Sequence, residues 1–323
     1  MAMFSTINIS DTELKQSAHQ FRKELLVMPV IAAEATLQHM TARPGVAGKE
    51  TVGQLSGNIE IGPYDPQRVD MDGVAIAPRT LETYLGSVVK KFDLNEAAKT
   101  VYGSLTTQGE ALTSLDLAHQ ILNYLAMQLG LNLNKHIWDA KRNAAGTKTK
   151  DLFDGFDTIT AAEITAGKIA AAEGNYLKLT EAIDDNSAFD LLTQIYESAD
   201  DNLQTIPTKM FVPVPVYRAY NRAYLANFGS VVYNTQFKKT FLEGTDNLCE
   251  IVPLVSKRNS PYIHLTPKSN MIYGYGDGLD AEKLAIEKHH EFLLSFVATM
   301  FFGCQFETIS KEKLFVAELK SNE

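Results

Sequence analysis

The 323-residue chain has two cysteines, Cys249 and Cys304, and one tryptophan. Two thiols make neither a disulfide framework nor a four-ligand zinc site, so a reducing compartment is the natural reading. Basic residues do not dominate: 30 Lys and Arg stand against 39 Asp and Glu, a formal charge of −9. That balance argues against a protein whose main task is to grip a nucleic-acid backbone, which needs clustered cations. The longest apolar run, Phe292 to Phe302, falls well short of the roughly 20 residues that cross a bilayer. The N-terminal MAMFSTINISDTELKQ has no basic stretch followed by an apolar one, so no signal peptide is evident. A soluble protein made in the cytoplasm is expected. With 45% hydrophobic and 21% charged residues, the chain can bury a real core as one large or two smaller domains.

Catalytic and ligand-binding signatures are also missing. Gly45-Val46-Ala47-Gly48-Lys49-Glu50 invites a phosphate-loop reading, but Arg43 stands where the first Gly belongs and Glu50 where Ser or Thr would hold magnesium. Asp70-Met71-Asp72-Gly73 resembles part of a calcium loop. Aligned on Gly73, however, the first and last ligand positions are Arg68 and Arg79, and both would repel the ion. His289-His290-Glu291 puts adjacent residues on different sides of a helix, without an HExxH pattern. His119 and His136 lack acidic partners at metal spacing, and His264 sits in a strand beside Tyr262. There is no Gly-x-Ser-x-Gly elbow, and neither cysteine has a catalytic signature. No catalytic, cofactor-binding or metal residue is therefore assigned, and no cofactor. Catalytic groups need only be near in space, so one enzymatic alternative stays open: a soluble α+β enzyme with a site near His264 and His289. It would be a small discrete oligomer with a deep polar pocket.

What the chain does have is one long helical period. Leu112, Leu115, Ala118, Leu122, Leu125, Leu129, Leu133 and Ile137 recur at steps of three or four within Leu112 to Arg142. Thr107-Gln108-Gly109-Glu110 reads as a capping box ahead of it. Such a helix would be about 45 Å long, against a radius of gyration of about 20 Å for a compact chain of this length. It reads as a spine, with Gly130 as the point of flexure. Asn143 to Gly146 breaks it.

Before the spine, Asp11 to Met28 reads as an amphipathic helix. Thr41 to Leu85, rich in Gly, Pro, Asp and Thr, reads as a long two-stranded excursion with its tip at Gly62 to Asp72. It has too few apolar residues for a core of its own. An arm packing on a neighbour suits it, as does a mobile surface loop. Val88 to Leu94 is a returning strand, and Glu96 to Tyr102 a short helix.

After the spine, Asp151 to Phe156 is a turn, and Ala161 to Gly174 carries no clear signal. Ser187 to Asn202 is a helix with Phe189, Leu192, Ile195 and Ala199 on one face. Lys209 to Val212 is a strand, and Pro213 and Pro215 open a helix. Its Tyr217, Tyr220, Tyr224 and Phe228 form a stripe suited to core or subunit contact. Ile251 to Val255 and Ile263 to Leu265 are strands, Tyr273 to Gly278 a turn-rich link, and Glu282 to His290 a helix. Phe292 to Thr308 and Lys313 to Leu319 close the chain as strands.

This order of elements resembles the major capsid protein of tailed bacteriophages, with the Hong Kong 97-like capsid fold. Asp151 to Phe156 (DLFDGF) resembles the family's crossing from spine helix to axial domain. Lys209 to Val212 with the helix at Val216 to Ala226 resembles its axial strand-helix unit. Ile251 to Val255, Ile263 to Gly274 and Phe302 to Phe306 resemble its strand pair and closing strands. The resemblance implies an α+β chain in five parts. Residues 1–40 are an N-terminal arm, 41–87 an extended β-hairpin loop, and 88–155 a peripheral domain with the spine helix. Residues 156–278 are an axial α/β domain, and 279–323 a closing helix and strands returning to the peripheral domain.

It also implies self-assembly through pentamers and hexamers into an icosahedral virion shell around DNA held without sequence-specific contact. A separate scaffolding protein, a portal and a possible decoration protein would be partners, with no membrane, and assembly would occur in the host bacterial cytoplasm. An encapsulin-type nanocompartment shares the fold and is the near alternative. Some members crosslink Lys to Asn. Lys49 is the only lysine from Thr41 to Leu85, and no acceptor is matched to it.

Overall fold

The structure is a computed structural model. It describes residues 29, 33–56, 64, 75–93, 114–228, 240–276, 283–288 and 293–320. In chain order the elements are α1 (Glu34–Leu37), β1 (Thr41–Pro44), β2 (Lys49–Ser56), β3 (Ala75–Glu82), β4 (Tyr84–Asp93), α2 (Ser114–His136), α3 (Phe156–Thr165), β5 (Tyr176–Lys178), α4 (Ala188–Glu197), α5 (Asp201–Gln204), β6 (Thr208–Pro213), α6 (Val214–Phe228), β7 (Cys249–Leu254), β8 (Tyr262–Thr266), β9 (Met271–Tyr275), β10 (Lys283–Lys288), β11 (Leu293–Phe306) and β12 (Phe315–Glu318). The expected helices at Asp11–Met28 and Glu96–Tyr102, the capping box at Thr107–Glu110, and His289 and His290 lie outside the described residues.

β11 organises the first sheet. From Phe296 on, the even positions Phe296, Ala298, Phe302, Cys304 and Phe306 are buried and only Met300 among them is not, the period-2 signature of a strand with one face on a core. Along one edge it changes partner: β10 pairs with it antiparallel from Lys288↔Leu294 to Lys283↔Thr299, and β9 takes over from Phe302↔Tyr275 to Phe306↔Met271. β4 covers its other edge, antiparallel from Leu293↔Asp93 to Phe302↔Tyr84, and β1 runs parallel to β9. The second sheet has the order β5-β12-β8-β6-β7. So β9 belongs to the first sheet, and the last strand, β12, to the second.

Two sequence expectations reverse here. Glu282–His290 is not a closing helix: Lys283–Lys288 is a strand, paired antiparallel from Lys283↔Thr299 to Lys288↔Leu294. Its Ala, Glu, Lys and Leu favour helix locally, and long-range pairing with β11 overrides that weak preference. Tyr273–Gly278 is not simply a link, because Met271–Tyr275 is the middle strand between β1 and β11.

The spine is real but shorter at its end than expected. α2 runs from Ser114 to His136, 23 residues, about 35 Å at 1.5 Å per residue. It stops before Arg142 because Ile137, Trp138 and Ala140 turn fully into the core. The carbonyls of Ile137, Trp138 and Ala140 accept the amides of Phe156 (3.2 Å), Asp157 (3.0 Å) and Gly155 (2.8 Å). The last turn of the spine and the first turn of α3 thus satisfy each other's orphan groups. Gly155 permits the contact, since a Cβ there would lie 2.4 Å from the Trp138 carbonyl oxygen. Leu122, Ala126, Gly130 and Leu133 face inward, while Tyr124, Met127 and Leu131 form an exposed apolar stripe on the same helix.

The helix expected from Ser187 to Asn202 is two. α4 ends at Glu197, and Asp200 then caps α5, its Oδ1 accepting the Asn202 amide at 3.0 Å. Of the aromatic stripe of α6, Tyr220 is core, fully buried and stacked on Phe189 at 5.9 Å, while Tyr217 and Tyr224 are half-buried.

Candidate assembly site

β2 and β3 pair antiparallel from Lys49↔Glu82 to Ser56↔Ala75, as a two-stranded ribbon with no further strand partner among the described residues. This is the excursion expected from Thr41 to Leu85. Its proposed tip, Gly62 to Asp72, lies outside the described residues except Tyr64, which is 93% exposed.

The root of the ribbon is built with care. Gly45 and Gly48, the glycines of the failed phosphate loop, take φ of 77° and 92° and turn the chain from β1 into β2. Thr83, between β3 and β4, is the pin. Its Oγ1 donates to the Val46 carbonyl at 3.0 Å and accepts the Gly48 amide at 2.9 Å, and its own amide donates to the Gly48 carbonyl at 2.7 Å. Directly beneath lie Gly274 and Gly303, register partners on β9 and β11. A Cβ on Gly303 would fall 2.0 Å from the Glu82 carbonyl oxygen, and one on Gly274 2.7 Å from Thr83 Cγ2. The glycine pair is a saddle that lets the ribbon cross the sheet in backbone contact.

Side chains then fasten the root. Val46, Val52, Leu81 and Ile272 form a small apolar cluster. Arg79, which spoiled the calcium loop, donates through Nη2 to Gln305 Oε1 at 3.0 Å and through Nε to the Phe306 carbonyl at 3.2 Å, and pairs with Glu163 at 2.8 Å. Lys49 pairs with Glu82 at 2.5 Å across the ribbon. Glu82 also accepts from the Tyr84 hydroxyl. These two hydrogen bonds hold the Glu82 carboxyl below its ordinary range, and the bond to Glu82, with burial, pushes the Tyr84 phenol up to about 12. A polar cleft of about 320 Å³ lies beside the root, lined by Arg79, Glu82, Tyr84, Asp154, Glu163 and Gln305 among others.

The histidines fall elsewhere. His264 is wholly buried and lines neither this cleft nor the second one, of about 300 Å³, beside the spine. Lys257, also fully buried, points at it. Lys257 Nζ donates to Ser260 Oγ (2.8 Å), His264 Nδ1 (3.0 Å) and Asp157 Oδ1 (3.2 Å), which spends all three ammonium hydrogens. Its ammonium also stands 3.8 Å over the Trp138 ring. Because Nδ1 must accept, the neutral imidazole carries its proton on Nε2 and donates to Thr160 Oγ1 at 2.9 Å. Burial, then the Lys257 charge, hold His264 well below 6.5, and burial lowers Lys257 to about 8 against the pull of Asp157. Trp138 and Phe306 flank the ring at 5.5 and 5.8 Å.

The cluster joins the spine's end, α3, β8 and β11 in a closed packing with no room for a substrate. It does not bring His264 to an enzyme site; His289 lies outside the described residues. His136 bonds Asp139 Oδ1 at 2.9 Å, closing the helix end. The side chain of His119 is not among those described. No group of three or more His, Cys, Asp or Glu among the described residues is placed to hold a metal ion. Lys257, Asp157 and the glycine saddle were missed in the sequence. Nothing in Ser256-Lys257-Arg258-Asn259 marks that lysine, since lysine is almost never fully buried.

No protein-family model matches the sequence, and a search of curated proteins finds no match. Solved structures do match. The chain is similar to the capsid of an empty GTA particle at 11% identity and a TM-score of 0.58, over 90% of both chains. It is similar to a chain of the satellite phage P4 procapsid at 14% identity and 0.55, over 90% of this chain and 96% of that one. It is also similar to the capsid of Myoviridae phage XM1 at 8% and 0.51, over 88% and 92%. This is the Hong Kong 97-type capsid fold.

Proposed function

We propose that the chain is the shell-forming structural protein of a tailed-phage virion, self-assembling through pentamers and hexamers around DNA. The observation that carries this reading is the ribbon: eight residue pairs long, with both edges open among the described residues, and rooted in backbone contact on the glycine saddle. Open edges are a liability in a monomer and a joint between copies, and an isolated two-stranded ribbon is marginal until something covers it. The exposed apolar stripe of Tyr124, Met127 and Leu131, with Leu85 and Val89 on β4, adds surface suited to burial between subunits. Likeness to three phage-type capsids over about nine-tenths of the chain supports the same reading.

In this reading residues 156–278 supply the axial domain, 88–155 the peripheral domain, and 279–323 return from one to the other. β9 packs with the peripheral sheet and β12 with the axial one. The subunit acts by packing and carries no catalytic step. A scaffolding protein, a portal and a decoration protein would be its partners, and assembly would take place in the host cytoplasm.

Negative-stain microscopy with light scattering tests the reading. Hollow closed particles are expected from the full chain, and none when Thr51 to Ile76 are deleted. A chain that stays a compact monomer or dimer under every assembly condition, unchanged by that deletion, overturns it. Nucleic acid inside the particles distinguishes a virion shell from a protein compartment.

A further inference from the structure

Charge on this acidic chain is not evenly spread. Residues 135 to 151 hold Lys135, Lys141, Arg142, Lys148 and Lys150 against only Asp139 and Asp151, in a chain of formal charge −9. They form the last turn of α2 and the loop that follows. The loop is a built structure. The Lys141 amide donates to the Lys150 carbonyl at 2.8 Å, the Asn143 amide to the Asp151 carbonyl at 2.9 Å, and the Gly146 amide to the Asn143 carbonyl at 3.0 Å. The chain folds back so closely that a Cβ on Gly146 would lie 2.3 Å from the Asp151 Cβ. Arg142 is committed, its guanidinium 4.4 Å over the Tyr84 ring.

The nearby acids are committed too. Asp139 is bonded to His136, Asp151 accepts the Lys148 amide at 3.1 Å, and Asp154 accepts the Arg142 amide at 2.8 Å. Lys135, Lys141, Lys148 and Lys150 are exposed, and none of them pairs with a carboxylate of a described residue. Four ammonium groups without a carboxylate partner among the described residues are thus held on the last turn of α2 and a pinned loop, while the neighbouring acids bond His136 and backbone amides.

We propose that this loop, with the last turn of the spine helix, is the surface of the subunit that meets the phosphate backbone of double-stranded DNA. The proposal rests on the shell reading for the DNA itself, and it names the face and the residues. Chemistry selects this partner. Lysines are point charges suited to sequence-independent phosphate contact. Residues 139 to 152 contain no aromatic side chain, so the loop lacks the stacking platform that holds single strands. Its one large apolar residue, Leu152, packs against the core, so nothing in it anchors the loop in a lipid surface. An overall acidic subunit with one basic loop would hold duplex weakly and without sequence preference.

The test uses the full chain, as unassembled subunits, and a fluorescently labelled random-sequence duplex of ~20 base pairs, the scale on which four phosphate contacts fit easily. Affinity is measured across a salt series. Four lysine contacts predict a slope of log affinity against log salt of about −3 to −4. In the quadruple variant K135Q/K141Q/K148Q/K150Q the slope should fall towards zero and affinity at low salt should drop at least tenfold. A single-stranded oligonucleotide of equal length should bind more weakly than the duplex. All four side chains are exposed, so the variant should keep the wild-type unfolding midpoint and still form particles by microscopy.

An unchanged slope in the variant overturns the proposal, as does wild-type protein that shows no salt-dependent binding to duplex. Loss of particles with DNA affinity intact also overturns it, and assigns the loop to an acidic face of a neighbouring subunit. If wild-type protein binds duplex through these lysines yet never forms particles, the shell reading fails and the DNA-facing surface stands.

Discussion

Lys257 shows how much one buried charge can hold in place. Its ammonium reaches Asp157 on α3, Ser260 on its own loop and His264 on β8, and lies against Trp138 from the spine. Replacing it with Met leaves Asp157 buried without its partner, and breaking such a pair costs about 3–5 kcal/mol. Urea unfolding of Lys257→Met should show a loss of that size. A loss under about 1 kcal/mol, the worth of an exposed pair, would mean that the cluster is not a structural joint. His264 adds a pH dependence whose sign follows from its depressed value. Between that value and 6.5 the unfolded chain binds a proton that the native chain refuses, so stability falls as pH drops below about 6.5. Thermal midpoints from pH 7.5 to 5 should fall accordingly. In His264→Gln the part of the slope due to this residue should vanish.

Among the elements, the ribbon and its saddle make the sharpest case. A methyl group on Gly303 would collide with the Glu82 carbonyl. Because the obstacle is backbone, the ribbon root must move, with an overpacking cost of about 1–3 kcal/mol. Gly303→Ala should therefore give a folded subunit, by circular dichroism, with a lowered unfolding midpoint and a larger loss in particle yield. Normal assembly by Gly303→Ala would show that ribbon position is not critical. The spine helix teaches a related lesson. Its period was readable, but its end was not, because Ile137, Trp138 and Ala140 leave the helix to make carbonyl contacts with α3. Apolar residues at helical spacing do not say whether they are buried in a helix or just beyond one.

On the scale of the whole molecule, the formal charge of −9 makes copies of the subunit repel one another. Screening shortens that repulsion from about 30 Å at 0.01 M salt to about 8 Å at 0.15 M. Assembly followed by light scattering should therefore be faster and more complete at the higher salt. The opposite trend would mean that attractive pairs across the subunit interface outweigh the net repulsion.

Much of this fold was legible in residue order. The ribbon within Thr41 to Leu85, the spine, the Lys209–Val212 strand with its proline-started helix and the closing strand at Phe292–Thr308 all carry local patterns. Periods of 3.6 and 2 record which face is buried, and glycine and proline record where the chain turns. Local pattern also misled where pairing was distant: Lys283–Lys288 is strand only because β11 lies beside it, and Met271–Tyr275 only because β1 and β11 flank it. The same limit hid the site. Gly274 and Gly303 are ordinary strand glycines until the ribbon crosses them, and Lys257 an ordinary loop lysine until Asp157 and His264 close around it. Sequence by itself determined those elements whose burial pattern is written along the chain. Tertiary structure alone decided which distant residues meet, because close approach and charge burial are properties of a place in space.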